Sequence, residues 1–288
     1  MKISNRGGCW YLLFGFAVAC SGNRSSPPSV PSPVSHPPVS VAPTVQASSF
    51  RYAPGAVRYR ISRSAAIEST GPDLQTHREI STNITNELLT LEHGDRAINF
   101  TALIDTSATT TQGSIGSVQS IQLPIQISGS LTNGALTISP EPARGKCSAV
   151  SSMLMTDLHN LLIAFPEQLS TGVSWKDSAD VQGCQAGIPT TAHTTRSYVV
   201  SGSASYEGRP VLVILRTDTT RAKGEGGLQQ HRVSIDAAGT GTALYYLDAA
   251  TGRVVRLTVD QILALGVTAS ATRSQFRQNS KQEFQIVP

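Results

Sequence analysis

Hydroxyl, imidazole and thiol groups are the side chains that most often make a chain chemically active, and here they are scattered rather than assembled. A serine nucleophile of the Gly-x-Ser-x-Gly kind needs glycines around a sharp turn that exposes its oxygen to a base. The nearest string, Gly113-Ser114-Ile115-Gly116, lacks that order and reads as a loop. No Ser-x-x-Lys set and no zinc-protease His-Glu-x-x-His occurs. His77-Arg78-Glu79 has the His-x-Glu of zinc deaminases without a Pro-Cys-x-x-Cys partner, and reads as strand surface. Gly239-Thr240-Gly241 feeds an apolar β pattern instead of a helix N-terminus, so a bulge or turn is expected there, not a phosphate loop. The six histidines never fall into ligand spacing; His159 is expected half-buried on a helix flank. These patterns predict no enzyme: no catalytic residue, metal ligand or cofactor is assigned.

The chemistry that remains belongs to four cysteines, Cys9, Cys20, Cys147 and Cys184. Residues 1–19 read as an export signal, with Lys2 and Arg6 before an apolar run and Ala17-Val18-Ala19 as a small-residue cleavage site. The apolar run is too short to span a membrane, which takes about 20 residues. Phe16-Ala17-Val18-Ala19-Cys20 resembles the lipobox of bacterial lipoproteins, departing from it at Ala17, where that family prefers a larger aliphatic residue. The resemblance implies that Cys20 becomes a diacylated, palmitate-bearing N-terminus in the membrane. With Ser21 next, it implies an outer-membrane destination in a host with two membranes, facing the periplasm or cell exterior. Cleavage by an ordinary signal peptidase would instead leave Cys20 a free thiol. Cys9 departs with the signal, leaving three cysteines, an odd number for an oxidising compartment. Acylating Cys20 leaves one pair, Cys147 and Cys184, whose disulfide bond would enclose 36 residues. Loop entropy sets about 4 kcal/mol as the ceiling on its stabilisation. Two unpaired buried thiols are the alternative.

Charge narrows the partners. Without Lys2 and Arg6 the chain keeps 21 basic residues against 19 acidic, and no basic run with interleaved aromatics exists. Nucleic acid is therefore not an expected partner. A charged fraction of 15%, with abundant Ser, Thr and Gly, suits an exported β-protein.

The elements that must position any site follow in chain order. Residues 20–48 form a tether with seven prolines among Ser and Val and no apolar periodicity, a composition that cannot bury enough to fold. Residues 49–288 are expected to form a single β-rich domain, with two lobes split near Cys184 as the alternative. Alternation of period two marks strands around Val57-Ile61, Ile98-Ile104 and Ile121-Ile127. Asn133-Gly134 signals a hairpin. Beyond the cysteine-bounded segment, Val211-Leu215 is an uninterrupted apolar run, expected to be a strand covered on both faces. The polar tail ending at Val287 is expected to be a final edge strand. Between the cysteines, Val150, Leu154, Leu158, Leu161, Leu162 and Phe165 recur at intervals of three and four, which predicts an amphipathic helix stopped by Pro166. Trp175 is expected as a core anchor, with a π-face in a pocket as the other role. The fold class is α+β, mostly β: a large curved antiparallel sheet covered by one amphipathic helix.

An acylated cysteine, a proline-rich tether, a long antiparallel sheet and one covering helix together resemble envelope lipoproteins of the LolA/LolB-like half-barrel type. The resemblance is architectural, and the cysteine-bearing loop departs from that family's pattern. It implies a membrane-anchored protein that binds or carries a lipid or other apolar ligand, with a cavity at Leu154, Leu158, Leu161, Leu162, Phe165 and Trp175. The second reading is a structural or assembly lipoprotein contacting other envelope proteins through its sheet edges, with no ligand. Separately, Asp248-Ala249-Ala250-Thr251-Gly252-Arg253-Val254 resembles an Asp-x-x-Thr-Gly-x-Val hairpin common in exported β-domains, which is a turn solution and not a function.

Overall fold

A computed structural model describes residues 51–70, 76–94, 97–112, 123–132, 134–139, 147–185, 187–228, 231–270 and 272–288. The signal, Cys20 and the tether lie outside the described residues, as do Gly113 to Gln122.

Eleven strands and one helix follow in order: β1 (Gly55–Thr70), β2 (Thr76–His93), β3 (Ile98–Gln112), β4 (Ile125–Thr132), β5 (Ala135–Ser139), α1 (Ala149–Leu161), β6 (Ser174–Gln185), β7 (Ile188–Tyr206), β8 (Arg209–Leu228), β9 (His231–Asp248), β10 (Val254–Ala269) and β11 (Thr272–Val287). All eleven strands join one sheet in the order β5-β4-β3-β2-β1-β11-β10-β9-β8-β7-β6, curled into a half-barrel. The chain meanders outward from β1 to β5, crosses through α1 to the opposite edge, and returns strand by strand to lay β11 against β1. The tail is therefore central rather than an edge. Ile61 faces Phe284 across the β1–β11 ladder, and Phe284 is fully buried.

Side-chain alternation sends successive residues to opposite faces. Tyr59 and Ile61 point inward and are buried, while Arg58 and Arg60 between them face out. Near one end of the half-barrel the inward residues of the strands meet Leu154, Leu158, Leu161 and Leu162 of the helix segment in one continuous core. Tyr52 closes that end: its hydroxyl accepts from the Ile163 N–H at 2.6 Å, and Tyr59 donates to the Val254 carbonyl at 2.9 Å. In the run from Val211 to Leu215, the first four residues are covered to different degrees, whereas Leu215 is 45% exposed on the convex face.

The turns follow local chemistry. Glu207 and Gly208 both adopt positive φ, the signature of a type I′ hairpin. In the Asp248–Gly252 turn the Asp248 carboxylate accepts the Ala250 N–H at 2.8 Å, and Gly252 has φ +66°. A Cβ at Gly252 would meet the Arg51 carbonyl oxygen at 2.5 Å. Gly239 and Gly241, expected at a bulge or turn, lie instead in the uninterrupted middle of β9. A Cβ on Gly239 would strike the Ile262 carbonyl oxygen at 2.1 Å and Leu263 at 2.5 Å, so close strand approach rather than chain reversal demands glycine there.

α1 begins at the N-cap Ser148, whose hydroxyl accepts the Ser151 N–H at 3.3 Å. The helix ends at Leu161, before Phe165 and Pro166 are reached. Arg196 donates to the His159 carbonyl at 2.8 Å, satisfying one of the acceptors that a helix end exposes. A disulfide joins Cys147, just before the N-cap, to Cys184 near the end of β6, with Cα atoms 5.3 Å apart. The bond ties the start of α1 to the far end of the edge strand, while the last turn lies over the inward arginines.

Candidate functional site

The concave face has three zones along the strands. The first is the apolar core, and it contains the residues expected to line a cavity. Leu154, Leu158, Leu161 and Leu162 are 0–5% exposed and packed into the core, with Phe165 and Trp175 half-buried against it. Trp175 stacks on Tyr198 with ring centroids 4.8 Å apart and planes 4° apart. The structure brings all six together as a packed mass.

The second zone is a polar belt built from three strands and the last helical turns. Arg63, Arg196 and Arg216 continue the inward alternation of Tyr59-Ile61, Tyr198-Val200 and Leu212-Ile214, so the pattern that buries the core also buries them. Buried charges must be paired. Arg63 pairs with Asp157 of α1 and with Glu87 at 3.2 Å, and donates to Thr85 at 2.7 Å. Arg196 meets Asp177 at 2.7 Å, and Arg216 meets Asp218 at 2.8 Å and donates to Asn160 at 2.9 Å. Asp157, Asn160 and the His159 carbonyl are thus each held by an arginine from a different strand. His159 itself is pushed down to about 4, first by burial and then by the Arg196 charge, so it is neutral above that pH.

Two carboxyls share one cation at Arg63. Burial pushes Glu87 well above the usual range, and the neighbouring Asp157 charge adds to that effect. Burial raises Asp157 as well, and each of the three belt arginines faces at least one acidic side chain.

Beyond the belt lies the third zone, a trough. From Asp218 to Gly226 on β8 it runs eight residues, about 26 Å at the usual strand rise. The register places Ile67, Val181, Leu263, Leu265 and Phe276 on its inner surface, over a floor of Gly239, Ala237, Ala222 and Ala192. None of these belongs to, or packs on, any of the three apolar clusters of the described residues. A separate small cluster of Ile188, Val233, Ile235 and Ala269 closes the tip, where a Cβ at Gly226 would press on Ile188 at 3.2 Å.

The outer face of the same region is wet. Arg273–Asp236 at 3.2 Å, Arg232–Glu225 at 2.7 Å and His193–Asp180 at 2.7 Å are exposed pairs. An apolar sheet face is stable only when something covers it.

Among the described residues no group of three His, Cys, Asp or Glu stands where it could hold a metal ion. Sequence reasoning assigned no role to the belt arginines or the trough. The arginines were detectable as charges in phase with apolar alternation; the trough residues are too small and too mixed with Thr and Gly to stand out.

No family model and no curated protein matches the chain. A solved structure described as "Asymmetric conductivity of engineered proteins" aligns with 80% of this chain and 99% of its own, at 9% identity and a TM-score of 0.21. At that score the likeness carries no argument.

Proposed function

We propose that the protein is an exported envelope lipoprotein, anchored through acyl chains on Cys20, whose half-barrel binds or carries a lipid or other apolar chain in the trough beyond the arginine belt. One observation carries this reading: the inner surface at Ile67, Leu263 and Phe276 is apolar and only partly buried, and none of the three belongs to an apolar cluster of the described residues, while ion pairs stand on its outer face. The leucines of the helix stripe are buried in the core, which favours a ligand site further along the strands, from Leu263 onward. The proline-rich tether would hold this domain away from the membrane surface.

A second reading, an assembly lipoprotein that contacts other envelope proteins, is favoured by the convex face. There Val199, Leu215 and Leu244 stand side by side on β7, β8 and β9, with Val199 37% and Leu215 45% exposed. The neutral dye N-phenyl-1-naphthylamine separates the two. Saturable fluorescence enhancement by the full chain, lost in Ala222→Trp with thermal unfolding unchanged, supports the trough. No enhancement, with Leu215→Asp disrupting envelope complexes, supports the assembly role.

A further inference from the structure

The trough begins at unpaired polar atoms. Gln278 is 6% exposed, faces inward opposite Ile67 and beside Leu263, and its Oε1 has no hydrogen-bond partner among the described residues. Four residues further along β11, at the level of the belt, Gln282 lies directly across the ladder from Arg63. Gln282 Oε1 and Arg63 Nε are both buried and unpartnered, although they sit on neighbouring strands. Side-chain acceptors and a donor left unpaired in a dry place cost free energy unless a third molecule meets them. They lie where the apolar surface starts.

The charge count decides what kind of molecule. Each belt guanidinium already touches a carboxylate: Arg63 with Asp157, Arg196 with Asp177 and Arg216 with Asp218. Among the described residues of the belt no cation is left over for an anion. Among the described residues the remaining charge on the trough wall is Glu79, which faces inward opposite Ile67, with Oε1 buried and unpartnered. A carboxylate or phosphate entering there would be desolvated beside Glu79 with no counter-charge, which is prohibitive for a buried ion. A neutral hydroxyl or amide offers both a donor and an acceptor.

Resting on the trough reading above, we infer that the ligand is an uncharged amphiphile whose hydroxyl-bearing head hydrogen-bonds Gln278, Gln282 and Arg63 Nε, while its chain lies along Leu263, Leu265 and Phe276 toward the tip. The belt is thus the selectivity element of the site, and it selects against anions.

The test is displacement of N-phenyl-1-naphthylamine from the full chain by mono-oleoylglycerol, oleate and oleylamine, which share one chain and differ in head. Mono-oleoylglycerol is expected to displace the dye at a concentration at least tenfold below oleate. Gln278→Leu is expected to erase that preference while dye binding persists, and Gln278→Asn to retain part of it. Oleate equal to or better than mono-oleoylglycerol overturns the inference, as does oleylamine outcompeting both, which would assign the head site to Glu79. Dye binding with no displacement by any of the three removes the head site and leaves the apolar trough. Absence of dye binding removes the trough reading itself.

Discussion

Glu87→Gln should make the protein more stable at neutral pH and remove part of its pH dependence. Glu87 is 3% exposed beneath α1 and shares Arg63 with Asp157. Burial, then the Asp157 charge, raises its folded-state pKa. The unfolded chain ionises glutamate near pH 4.3, roughly, so below that pH the protonated group's contribution is complete. As pH rises from there toward the folded pKa, the folded state holds a proton that the unfolded state has released. Stability then falls by about 1.4 kcal/mol per pH unit. Glutamine keeps the shape and an acceptor for Arg63 and never ionises. Urea unfolding from pH 4 to 8 should therefore show the wild type losing stability relative to the variant at about that slope, with the curves meeting near pH 4. Parallel curves, or a variant weaker at every pH, would refute a folded-state pKa of Glu87 raised by burial beside Asp157. Asp157→Asn is the informative companion: with one carboxyl gone, Glu87 can ionise against Arg63, so the loss should stay below the 3–5 kcal/mol, approximately, of a broken buried pair.

Three further outcomes follow from named contacts. Reducing the Cys147–Cys184 bond, or changing both residues to alanine, should lower stability by at most about 4 kcal/mol in urea and free the N-terminal turn of α1 to exchange its amides. Non-reducing peptide mapping that recovers both cysteines alkylated would contradict the bond. Cys20→Ala should move the protein from the membrane fraction to the soluble one; a wild type already soluble after export would contradict acylation. Gly239→Val should unfold the middle of β9 by collision with the Ile262 carbonyl oxygen and Leu263, read as a drop of several degrees in Tm, whereas Gly172→Ala meets no atom within 4 Å and is limited to the strain of φ +88°.

Much of the architecture was legible in the chain because period-two alternation reports a sheet with one covered face, and period 3.6 reports the helix. Both are local signals. Strand lengths were not, since the far halves of β7, β8 and β9 are written in Thr, Ala and Gly, which pack in strands without announcing hydrophobicity. The tail read as an edge because its outward residues are polar; only the return of the meander, which lays Phe284 on Ile61, makes it central. The same non-local closure hid the site. Arg63, Arg196 and Arg216 are far apart in sequence, and nothing local says that all three reach the last turns of one helix. Conversely, the leucine stripe of α1 was legible but ambiguous, since a lid over a cavity and a plug in a core share one pattern. In this structure those leucines are buried against the sheet's aliphatic residues.

The most direct test of the central claim is native mass spectrometry of the full-length protein gently extracted from the envelope that makes it. The expected spectrum shows a covalent diacyl increment at Cys20 and, on the same molecule, a non-covalent neutral lipid that is ejected on activation and missing from Ala222→Trp. A wild-type protein that retains its acyl anchor yet carries no lipid, under conditions where added mono-oleoylglycerol also fails to bind, would contradict a ligand-bearing trough.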